Sequence, residues 1–82
     1  MVDNVNNPYH YKAHPSGVEC ITVTEWYNFN VGNAIKYLWR NGLKMEEGMA
    51  PIAKQIQDLE KAVWYCNREI KRLKEQFGVK DE

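Results

Sequence analysis

An all-α fold is the class this sequence predicts, and three observations carry the prediction. From Ile52 onward the apolar residues Ile52, Ile56, Leu59, Val63, Cys66, Ile70, Leu73 and Phe77 alternate steps of four and three, a heptad seam on one helix. Val31, Ala34, Ile35, Leu38 and Trp39 fall at i, i+3, i+4, i+7 and i+8, the apolar stripe of a second helix. Pro51 and Gly78 bracket the long seam as a first-turn proline and a C-terminal glycine do. The expected arrangement is one small domain over 1–82: an extended N-terminal arm at about 1–15, two short helices at about 17–28 and 31–41, and one long helix at about 51–77, oligomerising by helix packing.

The arm rests on Pro8 and Pro15, which disfavour helix at the residues before them. Its run Asn7-Pro8-Tyr9-His10-Tyr11-Lys12 is aromatic enough to be packed on something. Ser16-Gly17-Val18-Glu19 has the spacing of a capping box opening the first helix, with Val18, Ile21, Trp26 and Cys20 as its buried side. The β-branched run Ile21-Thr22-Val23-Thr24 weakens that helix, because such residues also suit a strand. Asn28-Phe29-Asn30 ends it, Asn30 caps the next, and Gly42 stops that one before a loop at about 43–50.

At 1.5 Å per residue the third helix is about 40 Å long, whereas a compact chain of this size is roughly 30 Å across. Part of it must project or pack against a second copy. Trp64 and Tyr65 lie off the seam, and Asp58, Lys61, Tyr65 and Arg68 gather on the side away from it. Either that side packs on the short helices while the seam makes the oligomer, or the roles are reversed.

Composition excludes several functions. Eleven basic and eleven acidic residues cancel, which argues against a duplex-binding protein. No apolar run approaches the roughly 20 residues of a membrane span, and the N-terminus lacks a signal peptide's apolar core. Two cysteines make no disulfide framework, so a reduced, cytosolic setting is expected. His10, His14, Cys20 and Cys66 are chemically able to bind zinc, but their spacing matches no standard site, so no metal is expected. There is no motif that activates a nucleophile and no glycine-rich phosphate loop. Glu46 and Glu47 sit side by side in a loop, and Asp58 and Glu60 do not share a helix face, so neither pair is a good Mg²⁺ site.

What remains is cationic and aromatic. Lys12, Lys36, Arg40, Lys44, Lys61 and Arg68 supply donors for phosphate, and Tyr9, Tyr11, Tyr37, Trp64 and Tyr65 could stack on bases. Asn33, Lys36 and Arg40 fall opposite the apolar stripe of the second helix, with Lys36 and Arg40 one turn apart. The competing reading is a solvated charged face with interface aromatics.

Four ordered stretches add a resemblance. Asn-Pro-Tyr-His-Tyr, Gly-Val-Glu-Cys-Ile, Gly-Asn-Ala-Ile-Lys-Tyr-Leu-Trp-Arg-Asn-Gly-Leu-Lys and Asp-Leu-Glu-Lys-Ala-Val-Trp-Tyr, spread over about residues 7–70, resemble the small bacteriophage family of domain of unknown function 3310. One group of that family is a phage nucleotide kinase acting on deoxynucleoside monophosphates. The resemblance maps family motif positions onto Asn7, Pro8, His10, Tyr11, Glu19, Asn33, Lys36, Tyr37, Arg40, Lys44, Asp58 and Lys61, mostly polar residues, which implies ligand binding. It also implies the cytoplasm of an infected bacterium. This chain is far shorter than the kinase members.

The expectation is therefore a homo-oligomer, dimer or higher, that binds a phosphate-bearing nucleotide ligand and sequesters it; a cyclic nucleotide signal of host defence is one such ligand. The expected site is His10, Tyr11, Asn33, Lys36, Tyr37, Arg40, Lys44, Asp58 and Lys61, with no cofactor. The alternatives are a nucleoside monophosphate kinase, with Asp58 or Glu19 assisting Mg²⁺, and a helical module that binds a host protein.

Overall fold

The computed structural model describes residues 14–80. Three helices occur among them: α1 (Cys20–Thr24), α2 (Phe29–Trp39) and α3 (Pro51–Phe77). The all-α expectation holds, with α3 as its long C-terminal member. The expected arm falls almost wholly on residues outside the described part, including His10 and Tyr11.

α3 begins and ends where the punctuation places it. Pro51 occupies the first turn, and Gly78 closes the helix in the left-handed conformation at φ +68°, a backbone state that costs a side chain about 1–2 kcal/mol. α2 starts one residue before its expected cap. Asn28, not Asn30, is the N-cap, its Oδ1 accepting from the Val31 amide at 2.9 Å. Asn30 is released for another task and is buried.

α1 is the element the sequence reading overstated. It has five residues rather than the dozen expected, and Glu19 stands at its N-cap without a side-chain capping bond. No capping box forms. Gly17 takes a left-handed φ of +75°, and Ser16 Oγ instead accepts from the Val18 amide at 3.1 Å, a local turn that delays the helix. Cys20 alone of the expected inner residues is buried; Val18, Ile21 and Trp26 are exposed. Burial raises the Cys20 thiol pKa, opposed by a hydrogen bond from Thr24 and by the Lys36 and Arg40 charges. Gly32 lets α2 approach α1, because a Cβ there would stand 3.3 Å from the Thr24 carbonyl oxygen.

The packing of α3 inverts the usual order. The residues buried against α2 are Lys54, Asp58, Ala62 and Glu69, spaced 4, 4 and 7 apart. The apolar seam lies about 100° further round the helix. There Ile52, Ile56, Leu59, Val63, Ile70, Leu73 and Phe77 are 41–67 % exposed. Cys66 is exposed with them. Of the two arrangements the sequence leaves open, the polar side packs inward, against α2. The apolar stripe of α2 is also only partly used: Ala34 is buried, Val31, Ile35 and Trp39 half-buried, and Leu38 exposed.

Glu69 ties the start of α2 to α3. Its carboxylate accepts from Asn28 Nδ2 at 2.7 Å, Asn30 Nδ2 at 3.1 Å, and Arg72 Nε and Nη2 at 2.8 Å each. These donors, Arg72 foremost and then Asn30, hold its pKa down to about 2. At the other end, Asn41 Nδ2 donates to the Gln55 carbonyl at 2.9 Å.

Candidate functional site: a buried ion cluster beneath a cation-ringed tyrosine

Between these two ties, α2 and α3 enclose charge. Asp58 is fully buried; Lys54 is 3 % and Arg40 7 % exposed. Lys54 Nζ lies 3.1 Å from Asp58 Oδ1, one turn earlier on the same helix, and 3.6 Å from Glu46 Oε1 in the loop. Gln57 Oε1 accepts from Lys54 Nζ at 3.2 Å. Arg40 Nη2 approaches Asp58 Oδ1 from α2 at 3.8 Å. The expectation that Arg40 lies on the open face of α2 is thus corrected. It falls at the C-cap of α2, its amide still donating to the Lys36 carbonyl at 3.2 Å, beside Tyr37 on the side of the helix that meets α3.

This cluster is electrostatically incomplete. Neither oxygen of Asp58 meets a well-aligned donor, and Arg40 Nε and Trp39 Nε1 are buried without an acceptor. Buried polar atoms are paired in the great majority of cases, so the two Asp58 oxygens and Arg40 Nε mark a place where a further polar group fits. Lys44 adds charge to the same crowd. Its pKa is lowered, first by burial and then by repulsion from Arg40 and Lys54, against a smaller pull from Asp58.

Directly beside the cluster stands Tyr37. Lys36 Nζ and the Arg40 guanidinium carbon each lie 4.6 Å from its ring centroid, and Lys61 Nζ lies 5.3 Å away. Tyr65 stacks on it at 5.9 Å with planes 15° apart. Phe29 and Trp64 meet Tyr65 edge-on at 6.0 and 5.0 Å, and Arg68 lies over Trp64 at 5.6 Å. Helical spacing explains the gathering. Lys36, Tyr37 and Arg40 occupy adjoining positions on the last turn of α2, opposite Asp58, Lys61 and Tyr65 one turn apart on α3.

Of the nine site residues expected from sequence, Lys36, Tyr37, Arg40, Lys44, Asp58 and Lys61 come together here. Asn33 stands apart: its Nδ2 donates to the Phe29 carbonyl at 2.8 Å, and it lines a cleft between α1 and α2 whose rim includes Lys36. His10 and Tyr11 lie outside the described residues. Lys54 went unrecognised, although a signal was present: Lys54–Asp58 is an i, i+4 pair, and Lys54, Asp58, Tyr65 and Glu69 form a second, polar stripe on α3. Among the described residues no three His, Cys, Asp or Glu side chains gather to hold a metal ion. No described helix is long and apolar enough to cross a membrane.

The fold and site together define a small helical protein that packs α2 on α3 through ions and leaves an aromatic–cationic surface beside them. The chain belongs to the family described as a protein of unknown function, DUF3310, whose match covers residues 5–67. No curated protein and no solved structure matches it.

Proposed function

We propose that this protein binds a phosphate-bearing nucleotide ligand at the Tyr37 cluster and retains it rather than turning it over. The observation that carries the reading is the imbalance of charge. Lys36, Arg40, Lys44, Lys54 and Lys61 converge, and Asp58 is the single buried carboxylate among them. An anion would relieve the repulsion that lowers Lys44 and would accept from the unsatisfied Arg40 Nε. Tyr37, with Tyr65 behind it, offers a ring on which a base stacks, a contact worth about 1–3 kcal/mol per base.

Retention is favoured over phosphoryl transfer because Asp58 is already engaged by Lys54 and Arg40, so it is poorly placed to carry Mg²⁺. The ligand class fits nucleotides and cyclic dinucleotides alike, since both join a stacking surface to phosphate.

Calorimetry with a panel of deoxynucleotides, cyclic dinucleotides and inorganic phosphate tests this. Lys36→Ala and Lys61→Ala, both outside the buried pair, are expected to weaken binding about tenfold each, as lost charge-assisted hydrogen bonds do. Tyr37→Leu should lose affinity for nucleotide but retain it for phosphate. Silence across the panel at high micromolar concentration overturns the proposal. Appearance of a diphosphate from a deoxynucleoside monophosphate with ATP and Mg²⁺ overturns retention in favour of a kinase.

A further inference from the structure

We infer that the exposed seam of α3 is a parallel, two-stranded coiled-coil interface whose occupant is α3 of a second copy of this chain. This goes beyond the ligand reading and does not depend on it.

The seam is surplus to the packing of one chain, because α2 uses the polar face of α3 about 100° away. It is a strip roughly 40 Å long and 10 Å wide, on the order of 400 Å², comparable to the largest exposed apolar patch of a typical monomer, which is often functional. Its repeat is 3.5 residues, not 3.6, and it keeps this spacing from Ile52 to Phe77. A lipid or small-ligand face has no use for that period, whereas a second helix wound round the first requires it.

The residues set the number of strands. With Ile56, Val63, Ile70 and Phe77 at a, the d positions are Ile52, Leu59, Cys66 and Leu73. Three β-branched residues at a, with leucine at two of the four d positions, favour two parallel strands. Flanking charges agree with the same register, in which a g residue faces the e residue five positions later on the partner. The facing positions are Gln55 with Glu60, Ala62 with Asn67, and Glu69 with Lys74, so no like charges oppose one another, and Glu69 stays bound to Asn28, Asn30 and Arg72 of its own chain. In this register each Cys66 faces its own copy across a d layer, close enough for a disulfide.

Sedimentation of the full chain at tens of micromolar should give a dimer, and Val63→Asp should give a folded monomer of unchanged helix content. Mild oxidation should then convert wild type to a covalent dimer that Cys66→Ser abolishes; Cys20 is 2 % exposed and inaccessible. A monomeric wild type overturns the proposal, as does a Val63→Asp variant that stays dimeric. If Val63→Asp fails to fold, wild-type sedimentation and Cys66 oxidation decide. A dimer that resists oxidation through Cys66 overturns the parallel register, and a trimer or larger species overturns the two-stranded one.

Discussion

Replacing Asp58 with asparagine removes one negative charge from the centre of the protein and little else. The side chain keeps its shape, but Lys54 at 3.1 Å and Arg40 at 3.8 Å lose their shared counter-ion while remaining buried. Breaking a buried pair costs about 3–5 kcal/mol, because the partner charge stays desolvated. Glu46 lies 3.6 Å from Lys54 and is half exposed, so it compensates part of this and places the loss near the lower figure. For a domain of this size 1 kcal/mol moves the melting temperature by about 4–8 °C, so D58N should melt roughly 12–25 °C below wild type. The assay is thermal unfolding followed by circular dichroism, with and without inorganic phosphate or a nucleotide. An anion that enters the cluster takes over the role of Asp58, and at a concentration a hundred times its Kd it returns about 2.7 kcal/mol. D58N should therefore gain more from phosphate than wild type does. A D58N protein that melts within a few degrees of wild type refutes the idea that Asp58 is the internal counter-ion. Equal responses of the two proteins to phosphate refute anion entry at this cluster.

Three further outcomes follow from the same structure. Glu69 has its pKa lowered from 4.5 to about 2, so its bonds stabilise the fold fully above about pH 4.5 and lose that contribution as pH falls toward 2. Acid titration of the melting temperature should show a decline in that window, and E69Q should flatten it. Gly42 has φ +81°, and a Cβ there would reach 3.4 Å from Gln55 Nε2. G42A should cost about 1–2 kcal/mol, read as a lower urea midpoint at unchanged slope. If the seam joins two chains, the melting temperature of wild type should rise with protein concentration between about 1 and 100 µM, and that of Val63→Asp should not.

The long helix was legible to the residue because its signals are local. Pro51, Gly78 and the heptad period each act within a turn or two, and no tertiary contact has to overrule them. The first helix was misread for a tertiary reason. Val18, Ile21 and Trp26 look like an inner face, but a side chain is buried only if something covers it, and of the four residues expected on that face only Cys20 is buried. The site was half legible. Lys36, Tyr37 and Arg40 are announced by spacing on α2 and its C-cap, Lys44 by lying just beyond it, and Asp58 and Lys61 by their distance from the seam. That Arg40 is buried depends on α3 lying against that side of α2, and that Lys54 is buried depends on α2 lying over the polar stripe. Neither is encoded in a local period.

The inversion of α3 bears on stability as well as on the site. The buried apolar residues among those described are Cys20, Ala34 and Ala62, small side chains that remove little area from water. Buried ion pairs such as Lys54–Asp58 roughly break even against their desolvation, so they specify how α2 sits on α3 without adding much to its stability. The apolar area that a domain of 82 residues needs is present, but it lies on the outside, along the seam. Burying the exposed half of each large seam residue is worth on the order of 1 kcal/mol, and a paired helix gains that on both chains. If the seam pairs two chains as inferred, pairing adds stability to a protomer that already folds. The ion cluster orders the inside of the protomer, where an anion would enter, while a paired seam would add the hydrophobic burial that the inside lacks.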